Sequence, residues 1–157
     1  RLRRVVASPA PRAIHELREI THLVERGTVV VAAGGGGAPI VWDPAREGWE
    51  GVDAVVDKDL AAAVLARELG AALLVILTDV DAVYADWGRP TQRPLARLSA
   101  DEAEALDRAG AFGEGSMAPK VRAAVAFVRE TGGRAVITAL PLGRAAVRGE
   151  AGTTITR

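Results

Sequence analysis

Residues 73–77 form a short, unbroken apolar run, Leu-Leu-Val-Ile-Leu, and the sequence Thr-Asp-Val-Asp follows it directly. A continuous apolar run of this length is typical of a central strand in a parallel sheet, buried on both faces. Parallel neighbours need long crossover connections, which are usually helices. The run therefore predicts an α/β fold with helices on both faces of the sheet.

The rest of the chain alternates between strand and helix patterns, as such a fold requires. Residues 40–42 and 52–56 are predicted to form a β-hairpin arm stiffened by Trp42 and Trp49. No repeat or break in composition marks a second domain. We therefore predict one lobe over residues 1–157, a three-layer αβα sandwich with a mainly parallel sheet. The other predicted strands are residues 28–33, 135–138 and 153–156, and the predicted helices are residues 11–26, 59–69, 100–109, 119–131 and 141–148.

Three of these helices carry start signals. Ser99 and Glu102 have the spacing of a capping box, and Pro119 suits the first position of a helix. Asp57 or Asp59 can cap the helix predicted at residues 59–69.

Composition excludes several classes of protein. With 157 residues, of which 49% are apolar and 25% charged, the chain can bury a core and is not a disordered tail. Its 20 basic and 20 acidic residues balance, so no global field favours nucleic acid or an anionic membrane. No apolar run approaches the roughly 18–20 residues of a membrane span. The absence of cysteine excludes disulfides and thiolate chemistry and fits a cytoplasmic protein.

Asp57, Lys58 and Asp59 form the most informative charged cluster, because they follow an apolar run and precede a predicted helix. Two carboxylates and a lysine are costly to place against an apolar segment unless a charged group occupies the site. A helix N-terminus adds unpaired N–H groups and the positive end of the helix dipole, which suit an anion. The cluster therefore predicts a phosphate with its metal ion.

Lysine usage and the predicted sheet edge point to the same chemistry. Lys58 and Lys120 are the only lysines, and the other 18 basic residues are arginines. Lysine is a compact, mobile charge that can follow a phosphoryl group as it moves. Both lysines lie beside predicted loops, and open α/β sheets bind ligands beyond the carboxyl ends of their strands. The same edge is predicted to carry the turn at residues 78–81 and the glycine run Gly34, Gly35, Gly36 and Gly37.

Each feature also has a purely structural interpretation. The glycines suit a tight turn, Asp57 and Asp59 suit helix caps, and Asp79 and Asp81 suit turn positions. No G-x-x-x-x-G-K-[ST] sequence is present, and a G-x-G-x-x-A match at residues 113–118 lacks the preceding strand that a dinucleotide site needs. His15 and His22 lie two helical turns apart, too far to share a metal ion, and the sequence suggests no histidine partner for any serine.

Four ordered sequences resemble the C-terminal half of carbamate kinases, which belong to the amino-acid kinase superfamily. Two of them, containing Thr-Asp-Val-Asp and Gly-Ser-Met-x-Pro-Lys, are of types that recur through the superfamily. The four glycines followed by Asp-Lys-Asp point to carbamate kinases within it. The matching sequences are Val-Ala-Ala-Gly-Gly-Gly-Gly-Ala-Pro at residues 31–39, Val-Asp-Lys-Asp-Leu-Ala at 56–61, Leu-Thr-Asp-Val-Asp-Ala-Val-Tyr at 77–84 and Gly-Ser-Met-Ala-Pro-Lys at 115–120.

The resemblance implies reversible phosphoryl transfer between ATP and carbamate in arginine metabolism, running usefully from ADP and carbamoyl phosphate towards ATP, with Mg²⁺. Lys58 and Lys120 would neutralise phosphate charge, and Asp59 would orient the lysines and organise the metal region. The glycine run would let backbone N–H groups approach the acyl phosphate and γ-phosphate. The nucleotide-binding residues that the resemblance implies are Asp57, Thr78, Asp79, Asp81, Tyr84, Met117 and Lys120.

This sequence also departs from the pattern. Ala82 and Ala118 stand where relatives often have glycine, and the chain begins at Arg1. We expect a nucleotide-binding lobe from a longer, homodimeric enzyme whose substrate lobe is not among these residues. Two alternatives stay open. One is a nucleotide-binding module without chemistry, against which the retention of Lys58, Asp59 and Lys120 argues. The other is a different acyl or phosphonate kinase of the superfamily.

Overall fold

The computed structural model describes residues 5–112 and 116–157, which fall into two compact units, Arg1–Leu65 and Ala66–Arg157. The helices are α1 (Leu17–Glu25), α2 (Lys58–Glu68), α3 (Ala100–Arg108), α4 (Met117–Thr131) and α5 (Gly143–Val147), with a 3-10 turn at Leu140–Leu142. The strands are β1 (Ile40–Asp43), β2 (Gly48–Gly51), β3 (Leu73–Thr78), β4 (Val83–Ala85), β5 (Arg93–Leu95), β6 (Arg97–Ser99), β7 (Arg134–Ala139) and β8 (Thr153–Thr156).

The predicted hairpin arm is present in the first unit, but its second strand lies earlier than predicted. β1 pairs antiparallel with β2, and residues 52–56 contribute only a single bridge, between Ala54 and Ala7. Trp42 lies opposite Trp49, and their rings meet edge to face with centroids 5.6 Å apart. Glycine, which is unfavourable in strands, lies at both ends of β2, so the sequence does not predict this strand. The cross-strand aromatic pair stabilises the observed register.

The prediction of a buried strand at residues 28–33 is wrong. Val29 and Val31 are 92% and 96% exposed. Within the described residues no strand pairs with this segment. A strand needs a neighbour for its N–H and C=O groups. The β-branched residues favour an extended backbone, but they cannot supply that neighbour.

A four-stranded sheet in the order β3-β7-β8-β6 organises the second unit. β3 pairs parallel with β7, and β6 pairs parallel with β8, whereas β7 and β8 are antiparallel. The prediction of a mainly parallel α/β sheet is therefore confirmed. The central position predicted for β3 is wrong among the described strands, because β3 ends this order and Leu77 is 40% exposed. The β4–β5 hairpin is an addition that the sequence does not predict.

Helix α4 supplies much of the core of this unit. Its predicted apolar face is confirmed, since Val121, Ala124, Val125 and Val128 are all buried, and Phe127 is only 1% exposed. Burying each valine or phenylalanine side chain contributes roughly 1.5–3 kcal/mol.

Ion pairs join α3 to α4. Arg122 donates to both carboxylate oxygens of Asp107, at 2.6 and 3.2 Å. Arg129 bonds to Asp101 and also approaches Glu104, at 3.5 Å. These contacts hold both ends of α3 against α4, because Asp101 lies in its first turn and Asp107 in its last.

The helix ends partly follow the predicted signals. The capping box is confirmed, with Glu102 N–H donating to Ser99 Oγ at 3.2 Å and Ser99 N–H donating to the Glu102 carboxylate at 2.7 Å. Pro119 is the third residue of α4 rather than the first. That position still tolerates proline, because the first four N–H groups of a helix have no partner within it. Helix α1 begins at Leu17, later than predicted, and the helix predicted at residues 141–148 is split into the 3-10 turn and α5. No helix formed by the described residues is long and apolar enough to cross a membrane.

Acid should destabilise the second unit through two carboxylates at the start of α3. Hydrogen bonds from Ser99 hold the pKa of Glu102 below its ordinary 4.5, and a hydrogen bond from Arg129 holds the pKa of Asp101 below its ordinary 3.8. Carboxylates with depressed pKa values stabilise the fold above their ordinary pKa, and this stabilisation disappears as the pH falls through the depressed values. We expect the melting temperature to begin falling below pH 4.5.

Calorimetry on matched variants checks the source of this effect. Glu102→Gln keeps a side chain that can accept the Ser99 N–H bond but does not titrate, so its melting temperature should fall less in acid than that of the unaltered chain. Glu25→Gln, at an exposed position on α1, should follow the unaltered chain. Equal acid losses for all three proteins would contradict the assignment.

Candidate functional site

The glycine run in the first unit forms a tight turn that lies against the start of α2. Gly34 and Gly36 donate backbone hydrogen bonds to Ala32 and Ala33, both at 2.8 Å. Gly36 has φ +130°, and a Cβ placed on it would lie 2.1 Å from the Val56 carbonyl oxygen and 3.4 Å from Lys58 N. Only glycine fits this approach. The structural interpretation of the run as a turn is therefore correct, and the turn brings the loop to the charged cluster.

Asp57 is the N-terminal cap of α2. Its Oδ1 accepts hydrogen bonds from the N–H groups of Asp59 and Leu60, at 2.8 and 3.0 Å. Of the two caps that the sequence allows, the structure therefore contains Asp57. The Asp57 carboxylate already accepts hydrogen bonds from the helix. It can therefore assist anion binding only indirectly, by ordering the start of α2.

Lys58 and Asp59 are the first two residues of α2. Lys58 Nζ lies 3.4 Å from Asp59 Oδ2, and the Lys58 side chain is 57% exposed. Asp59 is only 7% exposed. The arrangement leaves a mobile cation at a helix N-terminus, oriented by a buried carboxylate, which is suited to holding phosphate oxygens.

In the second unit, the turn after β3 carries Thr78, Asp79 and Asp81, three of the predicted nucleotide-binding residues, and Asp81 contacts an aromatic pair. Thr78 Oγ1 donates to Asp79 Oδ1 at 3.0 Å, and the Tyr84 hydroxyl donates to Asp81 Oδ1 at 2.8 Å. The hydrogen bond to Asp81 raises the pKa of the Tyr84 hydroxyl above its ordinary value. Tyr84 meets Trp87 edge to face, with ring centroids 5.3 Å apart.

Trp87 is a further candidate for contact with a nucleotide, and the sequence analysis did not identify it. It is 59% exposed, in the loop between β4 and β5. A tryptophan three residues after Tyr84 in a polar loop is the signal that could have identified it. The exposed Trp87 ring, held edge to face against the half-buried Tyr84, offers an apolar face suited to a heterocyclic base.

Lys120 lies in the first turns of α4, three residues after Met117. It is 6% exposed, which is unusual because burying an ammonium group is costly unless polar or charged partners compensate it. Met117 is half-buried at the first residue of the helix, and Gly115 of the same motif lies outside the described residues.

Burial separates a small set of polar residues from the rest. In the described part of the chain, the buried polar and charged residues are Asp59, Lys120, Thr138 and Thr153. Two of them, Asp59 and Lys120, are residues to which the resemblance gives roles at the phosphates. The same part of the chain has no group of three or more His, Cys, Asp or Glu side chains placed to hold a metal ion.

The structure thus brings together two sets of predicted residues, each within one unit. The first set is the glycine loop with Asp57, Lys58 and Asp59. The second is Asp81 with Tyr84, to which Trp87 is added.

Comparisons with known proteins agree with the resemblance seen in the sequence. Carbamate kinase of Thermoplasma volcanium is 48% identical over 153 residues, which are 98% of this chain and 50% of that protein. Carbamate kinase of Haemophilus influenzae is 46% identical, over 99% of this chain and 48% of its own length. The structure of carbamate kinase from Giardia lamblia bound to AMP-PNP matches with a TM-score of 0.92 at 39% identity, over 96% of this chain and 52% of that one.

The chain therefore spans about half the length of these relatives. The predicted resemblance to carbamate kinases is confirmed. The model of the family described as "Amino acid kinase family" matches residues 2–139. Because this match covers most of the sequence, the chain belongs to the amino acid kinase family.

Proposed function

We propose that this chain is the nucleotide-binding part of a carbamate kinase-type phosphotransferase, which interconverts ATP and carbamate with ADP and carbamoyl phosphate. The observation that carries the proposal is the placement of the only two lysines. Lys58 begins α2, and Lys120 lies in the first turns of α4. Each lysine therefore adds its charge to a helix N-terminus, where phosphate groups are favoured.

Phosphoryl transfer suits such an arrangement. The reaction moves the γ-phosphoryl group between two oxygens, and the protein contributes mainly positioning and charge stabilisation. No nucleophilic side chain is needed. Lys58 and Lys120 would neutralise the charge on the phosphates, and Asp59 would keep Lys58 oriented through their 3.4 Å contact.

The remaining predicted residues would divide the other tasks. Thr78, Asp79, Asp81 and Tyr84 would hold the adenosine, with Met117 nearby, and Trp87 would offer its ring to the base. The backbone N–H groups of Gly34, Gly35, Gly36 and Gly37 would approach the acyl phosphate. Asp57 would keep the start of α2 ordered for the same phosphates.

Mg²⁺ fits this donor set as a partner of the nucleotide. Magnesium is usually held by one or two carboxylates together with substrate phosphates and water. The buried Asp59 carboxylate would supply one protein oxygen ligand of the right chemistry. When bound, the ion would neutralise charge on the phosphates between which transfer occurs.

Carbamate or carbamoyl phosphate would be the small-molecule partner, and the longer enzyme would be a homodimer. The balanced charge of the chain offers no general attraction for nucleic acid. The acceptor contacts would come mainly from residues outside this sequence.

A coupled assay tests the division of labour. We expect the 157-residue chain to bind ADP weakly and to form ATP from ADP and carbamoyl phosphate slowly or not at all. ATP formation by this chain at the rate of a complete carbamate kinase would refute the proposal that the acceptor contacts lie elsewhere.

Substitution of Lys120 tests the nucleotide role. Hydrogen bonds to charged groups contribute about 1.5–3 kcal/mol, so Lys120→Ala should weaken ADP binding about tenfold or more in a calorimetric titration. Arg144→Ala removes one positive charge at an exposed position on α5 and serves as the control. Equal ADP affinity in Lys120→Ala and the unaltered chain would exclude the proposed role.

Two glycine variants test the loop. A Cβ on Gly36 would meet the Val56 carbonyl, whereas one on Gly35 would meet nothing within 4 Å. Gly36→Ala should lower the free energy of unfolding by ~1–3 kcal/mol or more, and it should also weaken ADP binding. Gly35→Ala should change both little. Urea unfolding and ADP titration check this, and similar behaviour of the two variants would show that Gly36 has no special part in placing the loop.

A further inference from the structure

We propose that Thr138 is a positioning residue of the nucleotide site, whose hydroxyl fixes the turn that carries Asp81. This inference rests on the proposed function. Thr138 and Thr153 are the two buried polar residues that the proposed reaction leaves unexplained, and each is 0% exposed. Both bind the backbone of the segment that follows β3.

The contacts begin at the carboxyl end of the parallel pair β3–β7. Leu77 lies opposite Thr138 in this register, so the chain leaving β3 at Thr78 passes the end of β7. Thr138 Oγ1 donates to the Asp81 carbonyl oxygen at 3.0 Å. The turn is thereby tied to the neighbouring strand at its fourth residue.

Thr153 holds the same segment two residues later. The Val83 N–H donates to Thr153 Oγ1 at 2.7 Å, and that hydroxyl donates to the Leu95 carbonyl oxygen at 2.5 Å. Ile137 pairs with Thr153 in the antiparallel β7–β8 ladder, so both threonines lie at one end of the sheet. The segment from Asp81 to Val83 is therefore bonded at each end by a buried hydroxyl.

The surroundings of Thr138 restrict where its side chain can lie. Gly152 has φ +85°, and a Cβ placed there would lie 2.8 Å from Thr138 Cβ and 2.7 Å from the Ile137 carbonyl oxygen. The Gly152 backbone therefore packs directly on Thr138. A hydroxyl enclosed in this way cannot exchange its partner for water, so the Asp81 carbonyl depends on it.

The turn at residues 78–81 positions the side chains that we propose contact the nucleotide. Asp81 Oδ1 accepts a hydrogen bond from the Tyr84 hydroxyl at 2.8 Å, and the Tyr84 ring meets the Trp87 ring edge to face. A shift of the Asp81 backbone would move its carboxylate away from Tyr84 and alter the aromatic pair. Binding sites lose affinity when such supporting contacts are missing, because the binding residues are then held loosely.

Variants at Thr138 separate the hydroxyl from the rest of the side chain. Thr138→Val keeps the shape and removes the hydroxyl, whereas Thr138→Ser keeps the hydroxyl and removes the methyl group. In the 157-residue chain, Thr138→Val should speed amide hydrogen exchange over residues 79–85. It should also weaken ADP binding about fivefold, the effect of losing one hydrogen bond of ordinary net strength. Thr138→Ser should restore both values.

Val128→Ala is the control for lost stability. Val128 is fully buried in the last turns of α4, which lead into the start of β7, at the opposite end of that strand from Thr138. It should lower the melting temperature without changing ADP affinity or exchange over residues 79–85. If Thr138→Val does not fold, Thr138→Ala replaces it, since alanine differs from the serine variant only in the hydroxyl.

The outcomes are distinct. Unchanged exchange and affinity without the hydroxyl, failure of serine to restore them, or an equal effect of Val128→Ala would each overturn the positioning role. If the unaltered chain does not bind ADP at all, the proposed function fails. The exchange rates of the valine and serine variants then still decide whether Thr138 holds the turn.

Discussion

The second unit is built on the parallel pairing of β3 with β7. This pairing places Thr78 and Ala139 at the same edge of the sheet, so the chain leaving β3 must turn beside the end of β7. Open α/β sheets bind ligands at this edge because loops there can be shaped without disturbing the strands. Here the buried hydroxyls of Thr138 and Thr153 bond the backbone that follows β3, while the Asp79 and Asp81 side chains are exposed.

Burial distinguishes two of the proposed phosphate-site residues from the other charged residues more clearly than their positions in the sequence do. Charged side chains are abundant on the surface, yet Asp59 and Lys120 are the charged residues buried in the described part of the chain. Asp57 shows the contrasting case, because its carboxylate is occupied as a helix cap. Adjacent carboxylates can therefore differ in task, with Asp57 ordering the helix start and Asp59 placed beside the lysine.

Features set by a few neighbouring residues could be predicted from sequence. The continuous apolar run gives β3, and the spacing of Ser99 and Glu102 gives the capping box. Elements that require a partner strand are harder to predict from sequence. The sequence at residues 28–33 favours a strand but cannot show whether a neighbour pairs with it, and cross-strand pairing of Trp42 with Trp49 defines β2 despite its glycines.

The same distinction holds for the candidate site. The glycine loop and the charged cluster lie close in sequence, and they meet in the first unit as predicted. Thr138 and Thr153 could not be predicted, because they act on backbone groups 57 and 70 positions away. A threonine in a strand pattern carries no sign of such a contact.

Backbone amide NMR of the 157-residue chain, titrated with ADP and Mg²⁺, tests whether the nucleotide binds at the proposed residues. We expect chemical-shift changes at the glycine loop, at the first turn of α2, along residues 78–87 and around Lys120. Residues 132–134, at the other end of β7, should remain unchanged. Shifts confined to residues 132–134, or no shifts at millimolar ADP, would contradict the proposed site.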